Sequence, residues 1–208
     1  MPQSCDPVLR FVIEEDEAPL FTLLLQWGAC VGCTAGVTIG ELLIRQFGIG
    51  REYLEKRLST VFLNGSPVDN IDKTCIESGM TLALSSSMPG LAGAALRRGG
   101  MLSSMRGSIT YQDKDSCPGR IREGFIVIKL FNILVEEIGP VFIRHGIRIE
   151  AAKMAGFIGL SPHKARLASI MGKDKARDPE ALVHMLEAFD TGMIQITTRH
   201  DGHEKITP

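Results

Sequence analysis

Charge of one sign and long apolar runs are both missing from this chain. Lys and Arg total 23 against 24 Asp and Glu, a formal net charge of -1. No global field therefore recruits nucleic acid or an anionic membrane, and either partner would need a local patch. No stretch reaches the roughly 18 apolar residues of a membrane-spanning helix. Residues 1–6 lack the basic and then apolar order of a secretion signal. The expectation from these absences is a soluble, cytoplasmic protein with neither a nucleic acid nor a membrane as partner. The five cysteines, Cys5, Cys30, Cys33, Cys75 and Cys117, are odd in number in a chain of 208 residues, long enough to fold without covalent staples. That argues against a secreted disulfide framework and makes reduced thiols the expectation.

What is present reads first as strands and one helix. Residues 8–13 are a compact apolar strand candidate, followed by the acidic run Glu14-Glu15-Asp16-Glu17, a solvated turn, and a second apolar run over residues 19–27. Together these predict a hairpin or two adjacent strands. Thr38 then precedes Ile39, Leu42, Leu43 and Phe47. This is a helical stripe with Glu41 and Arg45 on the opposite side, stopped by Gly48 and Gly50, with residues 52–57 a second helical stretch or its extension. Val61-Phe62-Leu63, a turn at Asn64-Gly65, a short extended piece to Asp69 and the run Met80 to Leu84 after Gly79 complete the series. Strand, strand, helix, strand, short strand, strand is an α+β order in which one helix lies across a mixed sheet, each burying its single apolar side.

The composition changes over residues 90–119, where Gly90, Gly93, Gly99, Gly100 and Gly107 alternate with Ala, Ser and Arg. Glycine permits many backbone conformations, so this stretch marks the domain boundary. The expected division is residues 1–90, a Gly/Arg-rich linker over 91–120, and a mainly helical α+β region over 121–208. In the last, residues 125–131 read as a buried strand or as the start of a long helix through Leu134, Val135, Ile138 and Phe142, interrupted at Pro140. A shorter helix over 150–157 follows. Ser161-Pro162 and Asp178-Pro179 are helix starts, the second leading to Leu182, Met185, Leu186 and Phe189 at core spacing, and residues 193–198 alternate as a final strand.

Residues 8–93 resemble the β-grasp (ubiquitin-like) fold of the ThiS/MoaD sulfur-carrier type and, more distantly, the TGS domains of regulatory proteins. The likeness is carried by Thr38-Ile39-Gly40-Glu41-Leu42-Leu43, by Phe62-Leu63-Asn64-Gly65 with Val68, and by Ser78-Gly79-Met80-Thr81-Leu82-Ala83-Leu84 leading into Met88-Pro89-Gly90-Leu91-Ala92-Gly93. The resemblance implies a flexible Gly-Gly tail, adenylated at its carboxylate and converted to a thiocarboxylate that delivers sulfur. This chain departs from that pattern. Gly93 is followed by Ala94, and the true pair Gly99-Gly100, preceded by Arg97-Arg98, is followed by more chain up to Pro208. Only processing after Gly100 would create a carboxylate to activate. Ile126-Val127-Ile128-Lys129-Leu130-Phe131 followed by Glu136-Glu137-Ile138-Gly139 also looks like the opening strand and helix of a MoaD-type protein, a pattern common by chance and given no weight.

Cys30-Val31-Gly32-Cys33 is the one chemically suggestive spacing, since two cysteines two residues apart can share a metal or close a small disulfide. No second paired motif accompanies it, and packing cysteines are the plainer reading. The basic glycine-rich run through Arg106 lacks the Lys-Ser/Thr of a phosphate loop, so Gly93, Arg97, Arg98, Gly99 and Gly100 are the candidate binding or activation residues of a linker that contacts a partner. Met88, Met101 and Met105, apolar residues in that linker, are expected to lie in a groove of this chain or a partner. His145 and His163 stand near helix ends and His200 and His203 in the tail, without a base and nucleophile order, so no catalytic residue is assigned. The leading expectation is a non-enzymatic β-grasp interaction protein with a protein partner, its C-terminal half a support or a homodimer surface. The alternatives are a sulfur carrier activated by processing, and a thiol or metal protein using Cys30 and Cys33 as an enzyme or redox sensor.

Overall fold

The structure is a computed structural model that describes residues 7–87, 90, 93, 96–98, 100, 109–111, 117, 120–172, 178–189 and 192–199. The first strand, β1 (Pro7–Ile13), does not turn back on residues 19–27. That segment is helical: a 3-10 helix (Glu15–Phe21) and α1 (Leu24–Trp27). The expected hairpin fails because the apolar run has the helical period rather than alternation. Ala18, Phe21, Leu24 and Leu25 are buried while Leu23 is half exposed, and Glu14 and Glu17 form a reciprocal capping box at the start.

Strand β2 (Ala29–Ala35) leads to α2 (Ile39–Glu41), which continues as π turns over Leu42–Gln46. Thr38 caps this helix: its Oγ1 accepts from the Glu41 N–H at 3.2 Å, and the Glu41 carboxylate accepts from the Thr38 N–H at 3.3 Å. Ile39, Leu42, Leu43 and Phe47 are buried, and Gly48 ends the run at φ +66, a conformation that suits glycine. α3 (Arg51–Arg57) is a separate helix with Gly50 as its cap, not an extension. β3 (Thr60–Leu63) and β4 (Ser66–Pro67) form a hairpin whose turn residues, Asn64 and Gly65, have φ of 50 and 82, the twist-matched turn that Asn-Gly favours. β5 (Thr81–Ser85) follows.

Beyond the glycine-rich stretch, residues 125–131 are strand rather than helix, within β6 (Arg122–Phe131). α4 (Leu134–Glu137) and α5 (Gly139–His145) are separated at Ile138, and Pro140 occupies the first turn of α5. β7 (Ile147–Glu150), α6 (Ala151–Leu160), α7 (Lys164–Met171), α8 (Pro179–Glu187) and β8 (Met193–Thr198) complete the chain. Asp178 caps α8, its carboxylate accepting from the Glu180 N–H at 3.2 Å. α7 starts after His163, so Ser161-Pro162 sits in the preceding turn, where Ser161 Oγ accepts from the His163 N–H at 3.1 Å. On α8, Leu182 and Leu186 are core, while Met185 is 38% exposed, a correction to its expected place.

All eight strands belong to one mixed sheet in the order β1-β8-β7-β2-β6-β5-β3-β4. β1 is parallel to β8 and β6 is parallel to β5; the other neighbours are antiparallel. The sheet crosses both boundaries expected at 90/91 and 120/121, because β6 lies between β2 and β5. Register puts Val61, Leu63, Leu82, Leu84, Ile126, Ile128, Val31, Ile147 and Ile196 on one face, where they are buried beneath the helices. The other face carries Phe62, Ala83, Val127, Lys129, Thr34 and Arg148, all only half-buried. No helix among the described residues is long and apolar enough to cross a membrane.

Candidate functional site

The half-buried face of the sheet has a groove at the β3, β5 and β6 end. It has a volume of about 530 Å³ and is lined by Phe62, Thr81, Ala83, Ser85, Lys129, Phe131 and Asn132. Val61-Phe62-Leu63 and the run from Phe125 to Leu130 are apolar at nearly every position, so each strand offers apolar side chains to both faces. That run was the signal for the groove in the sequence, although it says only that both faces are apolar. Phe131, one of its lining residues, is 40% exposed. Asn132, in the left-handed region at φ 57, donates from Nδ2 to Ser85 Oγ at 3.0 Å and to the Ser87 carbonyl. This ties the end of β5 to the end of β6 and gives the groove a fixed polar rim.

A smaller hollow, about 460 Å³, lies between β2 and α2 and is lined by Thr34, Gly36, Val37, Leu42, Arg45, Gln46 and Ile121 with Glu41. β7 pairs with β2 only at Cys30 and Val31. Past that point the Gln46 side chain stands in for a neighbouring strand: its Nε2 donates to the Gly32 carbonyl and its Oε1 accepts from the Thr34 N–H, both at 2.8 Å. A short strand edge is thereby kept satisfied. The hollow's far corner is pinned from two sides. Gly36 N–H donates to the Ile76 carbonyl at 2.8 Å and Ile76 N–H to the Val37 carbonyl at 2.9 Å, while a Cβ placed on Gly36 would stand 2.8 Å from the Arg120 carbonyl oxygen.

Of the expected binding residues that are described, Gly93 and Arg98 are turned inward and Arg97 is not. Gly93 is buried in helical backbone. Arg98 N–H donates to the Ser59 carbonyl at 2.7 Å, and its guanidinium donates to the Leu54 carbonyl at 3.2 Å. That guanidinium sits in a small hollow of about 140 Å³ with Arg51, Glu55, Asp69 and Asp72. Burial lowers the Arg98 pKa, against the opposing pull of Asp72 and Glu55. Asp72 is itself held below the usual carboxylate range, chiefly by its hydrogen bond from Arg51 at 2.7 Å. Arg97 is exposed, Gly100 N–H closes a turn onto the Arg97 carbonyl at 3.1 Å, and Gly99 lies outside the described residues. So do Met88, Met101, Met105, His200 and His203.

Cys30 and Cys33 do not make a shared site. They lie on β2 rather than in a loop, and residues three apart on a strand point to opposite faces. Cys33 joins Val31 in the core, and Cys30 projects from the other face, so the pair can neither close a disulfide nor hold one metal ion between them. Burial pushes the Cys33 thiol up to about 11. Alkylation of Cys33 in the native protein is therefore expected to stay slow up to that pH, with mass-mapped labelling as the check; full labelling at pH 8 within the time a denatured control needs contradicts it. The expectation of reduced thiols is corrected elsewhere: Cys75 and Cys117, 42 residues apart in sequence, are joined as a disulfide. The fold brings them together, and no spacing rule announces that.

His145 packs its ring edge-on against Phe47 at 5.1 Å. Among the described residues no group of three or more His, Cys, Asp or Glu side chains is placed to hold a metal ion. Tyr53 donates to the Glu137 carboxylate at 2.6 Å, and Arg57 pairs with the same carboxylate at 3.1 Å, linking α3 to α4. Comparison of the chain with protein-family models, with curated proteins and with solved structures finds no match.

Proposed function

We propose that this chain is a β-grasp-type interaction module that docks a protein partner on the half-buried face of its sheet, without catalysing a reaction. Support for the fold comes from the spatial order β2-β6-β5-β3-β4 with α2 and α3 between β2 and β3. A β-grasp sheet sets its first strand in the centre, antiparallel to its second and parallel to its last. β6 meets both conditions, so the grasp here is permuted, with its opening strand supplied from beyond the glycine-rich stretch.

The observation that carries the function is the groove between Phe62 and Phe131, an apolar depression with a hydrogen-bonded rim on the half-buried sheet face. Concave apolar surface with a few fixed polar groups is what recognition sites offer. The sulfur-carrier reading is not taken up, because Gly93 is buried and Arg98 is hydrogen-bonded to Ser59 and Leu54. A tail that threads into another enzyme needs those residues loose.

The test is affinity capture from the native host with wild type, Phe131→Glu and a control, Leu160→Glu, at a residue 79% exposed on α6. A partner retained by wild type and the control but reduced at least ten-fold by Phe131→Glu is expected, since burying a carboxylate in an apolar contact costs more than about 1.4 kcal/mol. Equal retention by all three removes the sheet face as the docking surface.

A further inference from the structure

We infer that the Cys75–Cys117 disulfide is a thiol-reducible latch that holds one wall of the hollow between β2 and α2. This inference stands apart from the sheet-face groove. Its first support is position. Cys75 forms a β-bridge with Thr38, next to Val37 of the hollow, and the following residue, Ile76, bonds the backbones of Gly36 and Val37. Cys117 lies just ahead of Arg120, whose carbonyl sits against Gly36, and of Ile121, which lines the hollow and is 71% exposed. The disulfide thus ties the segment carrying Ile121 to the loop that floors the hollow.

The second support is chemical access. Cys75 and Cys117 are both half-buried rather than enclosed, so a small thiol can reach the bond, whereas Cys30 and Cys33 are buried. Reduction proceeds by thiol–disulfide exchange. A low-molecular-weight thiolate attacks one sulfur, forming a mixed disulfide and releasing the other cysteine as thiolate. A second equivalent of thiol displaces the first cysteine and departs with its partner as the small-molecule disulfide. Two electrons pass to the protein sulfurs, and the two protons lost by the attacking thiols return to give Cys75 and Cys117 as thiols. In a reducing compartment such a bond persists only transiently, the usual behaviour of a redox-sensing pair.

Reduction removes the covalent tie between residue 117 and the loop, so the reduced protein keeps the hollow's floor and α2 side, while among the described residues the Ile121 wall is held by β6, by packing at Gly36 and by the exposed Arg122–Glu77 ion pair at 3.5 Å. The latch therefore sets how often that corner opens rather than whether the sheet forms. Local openings of this kind are read by amide exchange.

The experiment uses the full chain. Thiols are alkylated at lysis and counted by mass under denaturing conditions before and after reduction; two of the five cysteines are expected to be protected until reduced, and alkylation of all five at once overturns the latch. Amide exchange is then compared between oxidised and reduced protein. The amides of Gly36, Ile39 and Ile76 are expected to accelerate at least ten-fold more than those of β3 and β5, and to recover on reoxidation. Equal acceleration everywhere, or none at Gly36, overturns the inference. The Cys75→Ser/Cys117→Ser double variant is expected to match the reduced pattern and to lose its response to thiol; a response that survives the substitution also overturns it.

Discussion

A chain ending after residue 90 is expected not to fold. β2 pairs with β6 at seven positions, from Ala29 with Ile128 to Ala35 with Arg122, and its other neighbour, β7, is also lost with the truncation. β5 loses its five parallel pairs with β6 and keeps only β3; β1 loses β8. What remains is a three-stranded β5-β3-β4 ribbon and helices whose apolar faces, among them Ile39, Leu42 and Leu43, have lost Ile126, Ile128 and Leu130, each 0% exposed in the whole chain. Main-chain groups that β6 had satisfied would face either water or apolar surface, and a ribbon of this size is marginal alone. The expected spectrum of residues 1–90 has collapsed amide dispersion and no cooperative thermal transition. A dispersed spectrum with a sharp transition would mean that the first half is an independent domain.

The substitution Phe142→Ala is expected to cost about 3–5 kcal/mol of stability, the range for deleting a fully buried aromatic side chain. Phe142 is 0% exposed. Its ring lies 4.7 Å from that of Phe47 at 52°, a tilted pair worth about 0.5–1.5 kcal/mol beyond area alone, and Phe47 in turn holds the His145 ring. One side of the contact follows α2 and the other belongs to α5, so the cavity opens where segments from the two ends of the sequence meet. Chemical denaturation should therefore show a single transition shifted to lower denaturant, with no separate step for either half. A loss below about 1 kcal/mol, or a biphasic curve, contradicts this view of the core.

Local chemistry was legible in the sequence where local chemistry decides the outcome. The helix start at Thr38, the helical stripe through Phe47, the Asn64-Gly65 turn, the Asp178-Pro179 start and the final alternating strand all depend on residues within a few positions of one another. Pairing was not legible, because partners are chosen by the whole sheet. β1 reads correctly as a strand, yet its partner, β8, is some 186 residues away at Met193. Residues 126–131 look like an opening strand, and that weak pattern coincides with a central position between β2 and β5. Of the expected site, Cys30 and Cys33 failed for a periodicity reason: a spacing that brings two thiols together in a loop separates them on a strand. Arg98 failed for a different reason, since its guanidinium satisfies the Leu54 carbonyl within the same chain. The groove at Phe62 and Phe131 needs two strands from opposite sides of the glycine-rich stretch, so no single segment displays it.

The marriage of β1 to β8 also sets a timetable for the nascent polypeptide. At a synthesis rate of about 5–20 residues per second, the first strand leaves the ribosome about 10–40 s before the one it must lie beside has been made. During that interval its apolar side chains Leu9, Phe11 and Ile13 have no native shelter on their inner flank, so attendance by a holding chaperone during translation would matter more for this chain than for one built from sequential hairpins.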